Sequence, residues 1–272
     1  MTAASKKRLS PAHRTELKKA FATLEESTFA AKLSQLTFGA TDRTTKNLPA
    51  AIVRLTEKVV GPALTAALSV AVRTLGKNGS DPEGPVARHL HKAMVALSGA
   101  TGGAAGLPGL IAELPLTTVL MLRRIAEIAR KSGEDLSDPA ARLACLEVFA
   151  LSGIGAAPEA VGSTYYAARI ALHGTIAQAA RELSGAGGKL AGHAFSGLVS
   201  KIAAKFGVNA TRLAATRVVP VAGAASGAVL NTLFMDHYQE LAEAHFTIRR
   251  LERQYGADTV RAAYERLRKK KV

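Results

Sequence analysis

Tryptophan is absent from this sequence of 272 residues, cysteine occurs once, and aromatic residues make up only 5% of the chain. A single cysteine excludes an internal disulfide and fits a reducing cytoplasm. Cys145 lies in the apolar run LACLEVFAL, so we expect a buried structural thiol rather than a catalytic one. Because basic residues interleaved with stacking aromatics are missing, we expect no nucleic acid partner.

Recognisable catalytic and metal-binding motifs are missing as well. The sequence contains neither HExxH nor GxSxG, which argues against a peptidase. His237 and His245 would lie about 12 Å apart along a helix, which is too far for one zinc ion. We therefore expect no catalytic residue, no metal and no cofactor. The basic first residues are not followed by an apolar segment, so no secretory signal is predicted.

Positive charge is concentrated at the two ends of the sequence. The net charge is +15, and residues 1–20 hold six Lys and Arg against one acid, while residues 249–272 hold nine against three. Basic ends around a nearly neutral apolar body suggest attraction to an anionic membrane surface, at the inner face of the membrane. The alternative is that these side chains are only solvated. The predicted membrane contacts are Lys6, Lys7, Arg8, Arg268, Lys269, Lys270 and Lys271.

Two long runs are almost free of charge. Residues 93–122 carry one charged side chain, Glu113, and residues 218–235 carry none. Both runs contain Gly and Pro, and the second is at the lower length limit for a bilayer crossing. We expect them to form core helices that leave part of an apolar face available to lipid. An integral protein with a hydrophobic hairpin remains the alternative.

The pattern of Pro, Gly and apolar residues predicts an all-α fold, since no stretch alternates like a strand. We expect one compact domain over residues 1–272, with a core at about 50–268. Three Gly-x3-Gly pairs, beginning at Gly102, Gly188 and Gly223, favour close helix contacts. Five helices are predicted to begin at Pro11, Asn47, Val86, Pro115 and Pro139. The fourth of these ends at Gly133, and Asp138 caps the fifth. Five more helices are predicted at 158–183, 189–206, 209–218, 221–255 and 258–270, with Asn209 and Asp258 as caps of the third and the last.

Two of these helices show a clear amphipathic pattern. Apolar residues at three- and four-residue spacings predict one buried face on each helix. On the first helix the predicted face consists of Leu17, Ala20, Phe21 and Leu24. On the long helix near the C-terminus it consists of Tyr238, Leu241, His245, Ile248 and Leu251.

Two blocks of the sequence resemble a known family. The first, at 102–151, contains the Glu113-Leu114-Pro115 step and the segment CLEVF that begins at Cys145. The second, at 218–253, has a Pro-x-x-Gly start and the run RRLE that begins at Arg249. Together they resemble the EcsC family, over roughly residues 50–268. The resemblance implies a bacterial, mainly helical protein without an established activity, and the family's operon context suggests a membrane transporter as a partner.

Five polar residues interrupt the apolar helices and are the candidate ligand-binding residues: Glu113, Arg142, Glu147, Asn231 and His237. A buried ion needs a partner, so one interpretation is that the two carboxylates pair with Arg123, Arg142 or Arg169 and fix the helix packing. The other is that the five residues line a cavity for a lipid headgroup.

We therefore predict a non-enzymatic, peripheral membrane protein that binds a lipid, another amphiphile or a membrane-protein partner. The alternative function is a hydrolase whose site is built around Glu113, Glu147 and His237. The sequence does not distinguish a structural role of these residues from a catalytic one.

Overall fold

The computed structural model describes residues 8–26, 31–32, 58, 62, 66, 106–151, 164–185, 192–216 and 227–270. These ranges contain seven helices and no strand, so the predicted all-α class is confirmed. We number the helices α1 (Pro11–Glu26), α2 (Gly106–Lys131), α3 (Pro139–Leu151), α4 (Thr164–Gly185), α5 (His193–Thr216), α6 (Gly227–Tyr255) and α7 (Ala257–Lys269).

Helices α6 and α3 form the centre of the fold. Helix α6 packs against α1, α2, α3 and α7, and α3 also contacts α2, α4 and α5. Ten of the thirteen residues of α3 are buried, so this helix is covered on nearly all sides. Because α3 carries apolar residues on every face, interrupted only by Arg142 and Glu147, it needs other helices packed around it.

Aromatic residues form two clusters in this core. One cluster joins α3, α5 and α6 and consists of Phe149, Phe206, Phe234 and Tyr238. The other joins α1, α4 and α7 and consists of Phe21, Tyr165, Tyr166 and Tyr264. Packing of such rings adds about 1 kcal/mol per pair beyond the area they bury, so both clusters stabilise contacts between helices that are distant in sequence.

The amphipathic patterns of α1 and α6 are confirmed by burial. On α1 the predicted apolar face is buried, namely Leu17, Ala20, Phe21 and Leu24. On α6 the predicted face is buried too, namely Tyr238, Leu241, His245, Ile248 and Leu251. Apolar residues at three- and four-residue spacings therefore identify both core-facing stripes correctly.

Helix α3 begins as predicted. Asp138 Oδ1 accepts a hydrogen bond from the Ala140 amide at 2.9 Å, and Pro139 is the first helical residue. The carboxylate satisfies an amide that has no partner within the helix, and the proline has no amide hydrogen to satisfy.

The predicted start of α2 is wrong, whereas its predicted end is confirmed. The sequence predicts a start at Pro115, but the helix begins at Gly106 and continues through that proline. Pro115 removes one backbone hydrogen bond, and the apolar residues on both sides continue the helix. Gly133 follows the last turn with a φ of 80°, a conformation that glycine adopts readily.

The predicted pair of helices at 189–206 and 209–218 is wrong, because one helix, α5, spans both. Asn209 lies inside α5 and is therefore not its cap. The cap comes from α4, where the Glu182 carboxylate accepts hydrogen bonds from the amides of Ala194 and Phe195 at 3.0 and 3.1 Å. A Cβ atom at Gly192 would collide with this carboxylate, so a larger residue there would displace the cap.

A smaller correction applies to the last helix. Helix α7 has Gly256, with a φ of 87°, as its N-cap, and the predicted cap Asp258 lies instead in the first turn. A carboxylate there still interacts favourably with the helix dipole. The described parts of α6 and α4 begin at Gly227 and Thr164, so the predicted starts at residues 221 and 158 lie outside the described residues.

Several sequence predictions fall outside the described residues. They include most of the segment at 47–75, the segment at 86–97, and one member of each Gly-x3-Gly pair. Within the ranges that the structure describes, no helix is both long enough and apolar enough to cross a bilayer.

Candidate functional site

A depression of about 780 Å³ lies between the start of α1 and the length of α7. We call it the basic groove. The apolar part of its lining, which we call its floor, consists of Leu9, Leu17, Ala262, Ala263 and Leu267. Its charged lining consists of Arg8, Arg14, Arg266 and Lys270, with Asp258 as the one acid among the described lining residues. The two basic ends of the sequence thus meet in one place.

Contacts between α1 and its neighbours fix the walls of the basic groove. Phe21 packs edge-to-face on Tyr264, with 4.9 Å between the ring centroids, which holds α1 against α7. The Arg250 guanidinium donates to Glu16 at 2.6 Å, which ties α6 to α1. These contacts place the basic residues of α1 beside those of α7.

The structure separates the predicted membrane contacts into three groups. Arg8 and Lys270 line the basic groove. Arg268 pairs with Glu265 at 3.2 Å, and Lys269 is exposed but does not line the groove. The remaining three, Lys6, Lys7 and Lys271, lie outside the described residues.

Two residues of the basic groove, Arg14 and Arg266, are not among the predicted contacts. The sequence contains a signal for Arg266, because it lies one helical turn before Lys270. No such signal identifies Arg14, whose Nε donates to the Leu9 carbonyl at 3.1 Å and folds the preceding segment onto α1.

A second polar cluster lies in the core, where α3, α4 and α6 meet. The Tyr165 hydroxyl forms a hydrogen bond of 3.1 Å with His245 Nδ1, and His245 Nε2 lies 3.7 Å from a Glu147 carboxylate oxygen. The two rings are fully buried, and Glu147 is only 4% exposed. Burial raises the pKa of Glu147 to about 7, although Arg169 and Arg249 oppose the rise.

The same burial acts on His245 in the opposite direction. Loss of solvent, followed by the charges of Arg169 and Arg249, lowers the pKa of His245 well below its ordinary value. The imidazole is therefore neutral in the folded protein at neutral pH.

Two carboxylates beside this cluster, Glu252 and Glu134, form ion pairs with arginine side chains. Arg169 donates to Glu252 at 2.8 Å, and the Tyr166 hydroxyl donates to the same carboxylate at 3.0 Å. Arg249 donates through two nitrogens to Glu134, at 2.9 Å each. These contacts tie α6 to α4 on one side and to the end of α2 on the other.

Glu134 has a second basic partner. Arg253, one turn after Arg249 on α6, pairs with the same carboxylate and also donates to the Ser132 backbone carbonyl. Although burial opposes the effect, both guanidinium groups lower the pKa of Glu134. The carboxylate is therefore ionised at neutral pH and holds the turn after α2 against α6.

A cleft of about 380 Å³ opens onto the core cluster between α3, α4, α6 and α7. We call it the arginine cleft. Its polar and charged lining consists of Glu147, Tyr166, Arg169, His173, Arg249, Glu252, Asp258 and Arg261, beside an apolar wall that includes Ile170. Asp258 lines both the arginine cleft and the basic groove, so the two cavities are neighbours at the start of α7.

Of the five predicted ligand-binding residues, Glu147 is the one that the structure places in the lining of either cavity. Arg142 instead donates to the backbone carbonyls of Leu136 and Ser137, at 2.7 and 2.6 Å, and so closes the turn between α2 and α3. Asn231 and His237 are buried on α6 and line neither cavity, and the Glu113 side chain lies outside the described residues.

The expected pairing of Glu147 with an arginine is not observed. Among the described residues its carboxylate has no arginine within ion-pair distance, and Arg169 pairs with Glu252 instead. The sequence favours Glu147 as one half of a salt bridge, whereas the structure places it beside a neutral histidine.

Most polar residues of the arginine cleft and its core cluster are absent from the sequence-based list, including Tyr165, His245, Arg249 and Arg261. Their relation to Glu147 depends on the packing of four helices. No local spacing in the sequence signals that relation.

Two further reactive groups, Cys145 and His237, are buried in the core. Cys145 is buried, and loss of solvent raises the pKa of its thiol to about 12, so the predicted burial of this cysteine is confirmed. Burial and the charge of Lys32 lower the pKa of His237 to about 3. Within the described ranges no three His, Cys, Asp or Glu side chains are grouped so as to hold a metal ion.

The chain matches a known family over its central part. The model of the EcsC protein family matches residues 86–251, which is more than half of the chain. No curated protein and no solved structure matches the sequence. The matched range includes Glu147 and Arg249, whereas the residues that line the basic groove lie outside it.

Proposed function

The chain belongs to the EcsC family, and we propose that it is a non-enzymatic, peripheral membrane protein that binds anionic lipid through the basic groove. The site of action would be the inner, cytoplasmic face of the membrane. One observation carries the proposal: basic residues from opposite ends of the sequence line a single depression with an apolar floor.

The chemistry of the basic groove matches that of an anionic phospholipid. Four cationic side chains line it against one carboxylate, so it attracts a phosphate group. The floor of Leu and Ala side chains accepts the glycerol backbone and the first carbons of an acyl chain. Basic side chains that served only to keep the protein soluble would not need to converge on such a floor.

The packing of α1 supports the same interpretation. Helix α1 is held in place by the ring contact between Phe21 and Tyr264 and by the ion pair between Arg250 and Glu16. The helices that carry the four basic residues are therefore already side by side before the lipid binds. A preorganised site loses less conformational entropy on binding than a flexible basic tail does.

Flotation of the protein with lipid vesicles tests this proposal. The variant Arg266→Gln with Lys270→Gln removes two charges from the basic groove. Each basic residue near an anionic membrane contributes about 1 kcal/mol, so the double variant should bind anionic vesicles about 30-fold more weakly. Binding of the unchanged protein should fall as salt rises, because salt screens these exposed charges.

The matched control is Arg181→Gln with Lys201→Gln, which removes the same two charges from exposed positions outside the groove. This control should bind like the unchanged protein. Equal weakening by both pairs would mean that only total charge matters, and binding to zwitterionic vesicles as tight as to anionic ones would contradict the proposal.

A further inference from the structure

The arginine cleft contains a buried acid that the packing of the fold does not use. Glu147 is 4% exposed and lines the cleft, yet among the described residues no hydrogen bond reaches its carboxyl group. The separation of 3.7 Å from His245 Nε2 is too long for a hydrogen bond. Its oxygens are not among the fully enclosed polar atoms that lack a partner, so they face the cleft, where a hydrogen-bond donor from outside the chain can reach them.

An available cation lies at the same cleft. Arg261 lies over the Tyr166 ring at 5.7 Å from its centroid, and within the described ranges no carboxylate pairs with its guanidinium. Arg249 uses Nε and Nη2 for Glu134, which leaves Nη1 unused by that pair. Arginine is the side chain best suited to hold a phosphate, because it presents several N–H donors in one plane.

We propose that the arginine cleft is a binding site for a phosphate ester that carries a free hydroxyl group close to its phosphate. The phosphate lies at Arg261 and Arg249, and the hydroxyl donates to Glu147. The volume of about 380 Å³ is at the small end of ligand pockets and fits a three-carbon ester such as glycerol phosphate. Ile170, which is 57% exposed, offers an apolar wall to the carbon skeleton.

This ligand chemistry has two sources, a free phosphate ester and the headgroup of phosphatidylglycerol. The proposal does not rest on membrane binding by the basic groove, because Glu147, Arg249 and Arg261 do not line that groove. The two proposals therefore fail separately. The groove variant Arg266→Gln with Lys270→Gln should leave binding in the cleft unchanged.

Calorimetric titration with glycerol 3-phosphate, inorganic phosphate and glycerol tests the cleft. Glycerol 3-phosphate should bind at least about tenfold more tightly than either of the other two probes, because it alone engages both ends of the site. The variant Arg261→Gln should weaken glycerol 3-phosphate and phosphate alike, by about tenfold. The exposed control Arg181→Gln should change neither.

The variant Glu147→Met tests the hydroxyl contact, since it replaces the acid by an apolar side chain of similar length. Its affinity for glycerol 3-phosphate should fall to that for inorganic phosphate, which itself stays unchanged. The variant Glu147→Leu, which is also apolar and shorter, serves if the methionine variant melts early. The proposal is overturned if glycerol 3-phosphate binds no more tightly than phosphate, or if Arg261→Gln and Arg181→Gln bind alike.

Competition with vesicles identifies the source of the ligand. If vesicles of phosphatidylglycerol displace glycerol 3-phosphate while phosphatidylserine vesicles do not, the cleft holds a lipid headgroup. If neither displaces it, the cleft holds a free ester. Displacement by both vesicles to the same extent would show that the hydroxyl plays no part, which contradicts the proposal.

Discussion

Replacing Glu147 by Gln should make the folded protein more stable at high pH and leave its stability unchanged at low pH. Loss of solvent is the main reason that the pKa of Glu147 rises from 4.5 to about 7, and Glu252 adds to it. In the folded protein the carboxyl group therefore keeps its proton at pH values where the unfolded chain has released it. Stability must then fall as pH increases from about 4.5 to about 7.

The size of the effect follows from the same two values. Each pKa unit corresponds to about 1.4 kcal/mol, so the full penalty above pH 7 is about 3 kcal/mol. Glutamine has nearly the same shape and does not ionise. The free energy of unfolding of Glu147→Gln should equal that of the unchanged protein near pH 4.5 and exceed it by about 3 kcal/mol near pH 8.

Urea unfolding followed by circular dichroism, at several pH values between about 4.5 and 8, measures this difference. His245 is neutral when folded and is present in both proteins, so most of its own contribution cancels. The control Glu243→Gln, at an exposed position of α6, should show no increase in stability over the unchanged protein as pH rises. A difference that stays constant with pH, or an unchanged protein that is the more stable one near pH 8, would refute the account of Glu147.

Three further predictions concern the rest of the fold. Although burial opposes the effect, pairing with Arg249 and Arg253 lowers the pKa of Glu134. The variant Glu134→Gln should therefore lower the free energy of unfolding in urea by about 2 kcal/mol at pH 7, and by progressively less as pH falls below 4.5. Glu182→Ala removes the cap of α5 and should cost about 1 kcal/mol in the same assay. The Cys145 thiol should react with a maleimide only after denaturant is added, as mass spectrometry would detect.

Local sequence signals predict the elements whose causes are local. The cap by Asp138 and the proline after it set the start of α3, and these residues are adjacent in sequence. The buried stripe of α1 follows from apolar spacing alone. The sequence predicts two helices in place of α5 because Gly207 and Asn209 are weak helix formers. The helix nevertheless continues through both residues, since Phe206 beside them is fully buried and extends the core contact.

The sites depend on contacts between distant segments, which the sequence does not specify. Glu147 is identifiable as an acid within an apolar run, but its neighbours Tyr165 and His245 come from two other helices. The basic ends are recognisable from composition, but their convergence needs α1 to pack against α6 and α7. The cap of α5 by Glu182 likewise arises only because folding brings α4 and α5 together.

Photocrosslinking with an anionic phospholipid that carries a reactive group near its phosphate tests the central claim most directly. After irradiation on vesicles, proteolysis and mass spectrometry locate the labelled peptides. We predict labelling within residues 8–17 and 258–270, the segments that line the basic groove, and little labelling by a zwitterionic analogue. Labelling confined to other segments, or equal labelling by both lipids, would contradict the account.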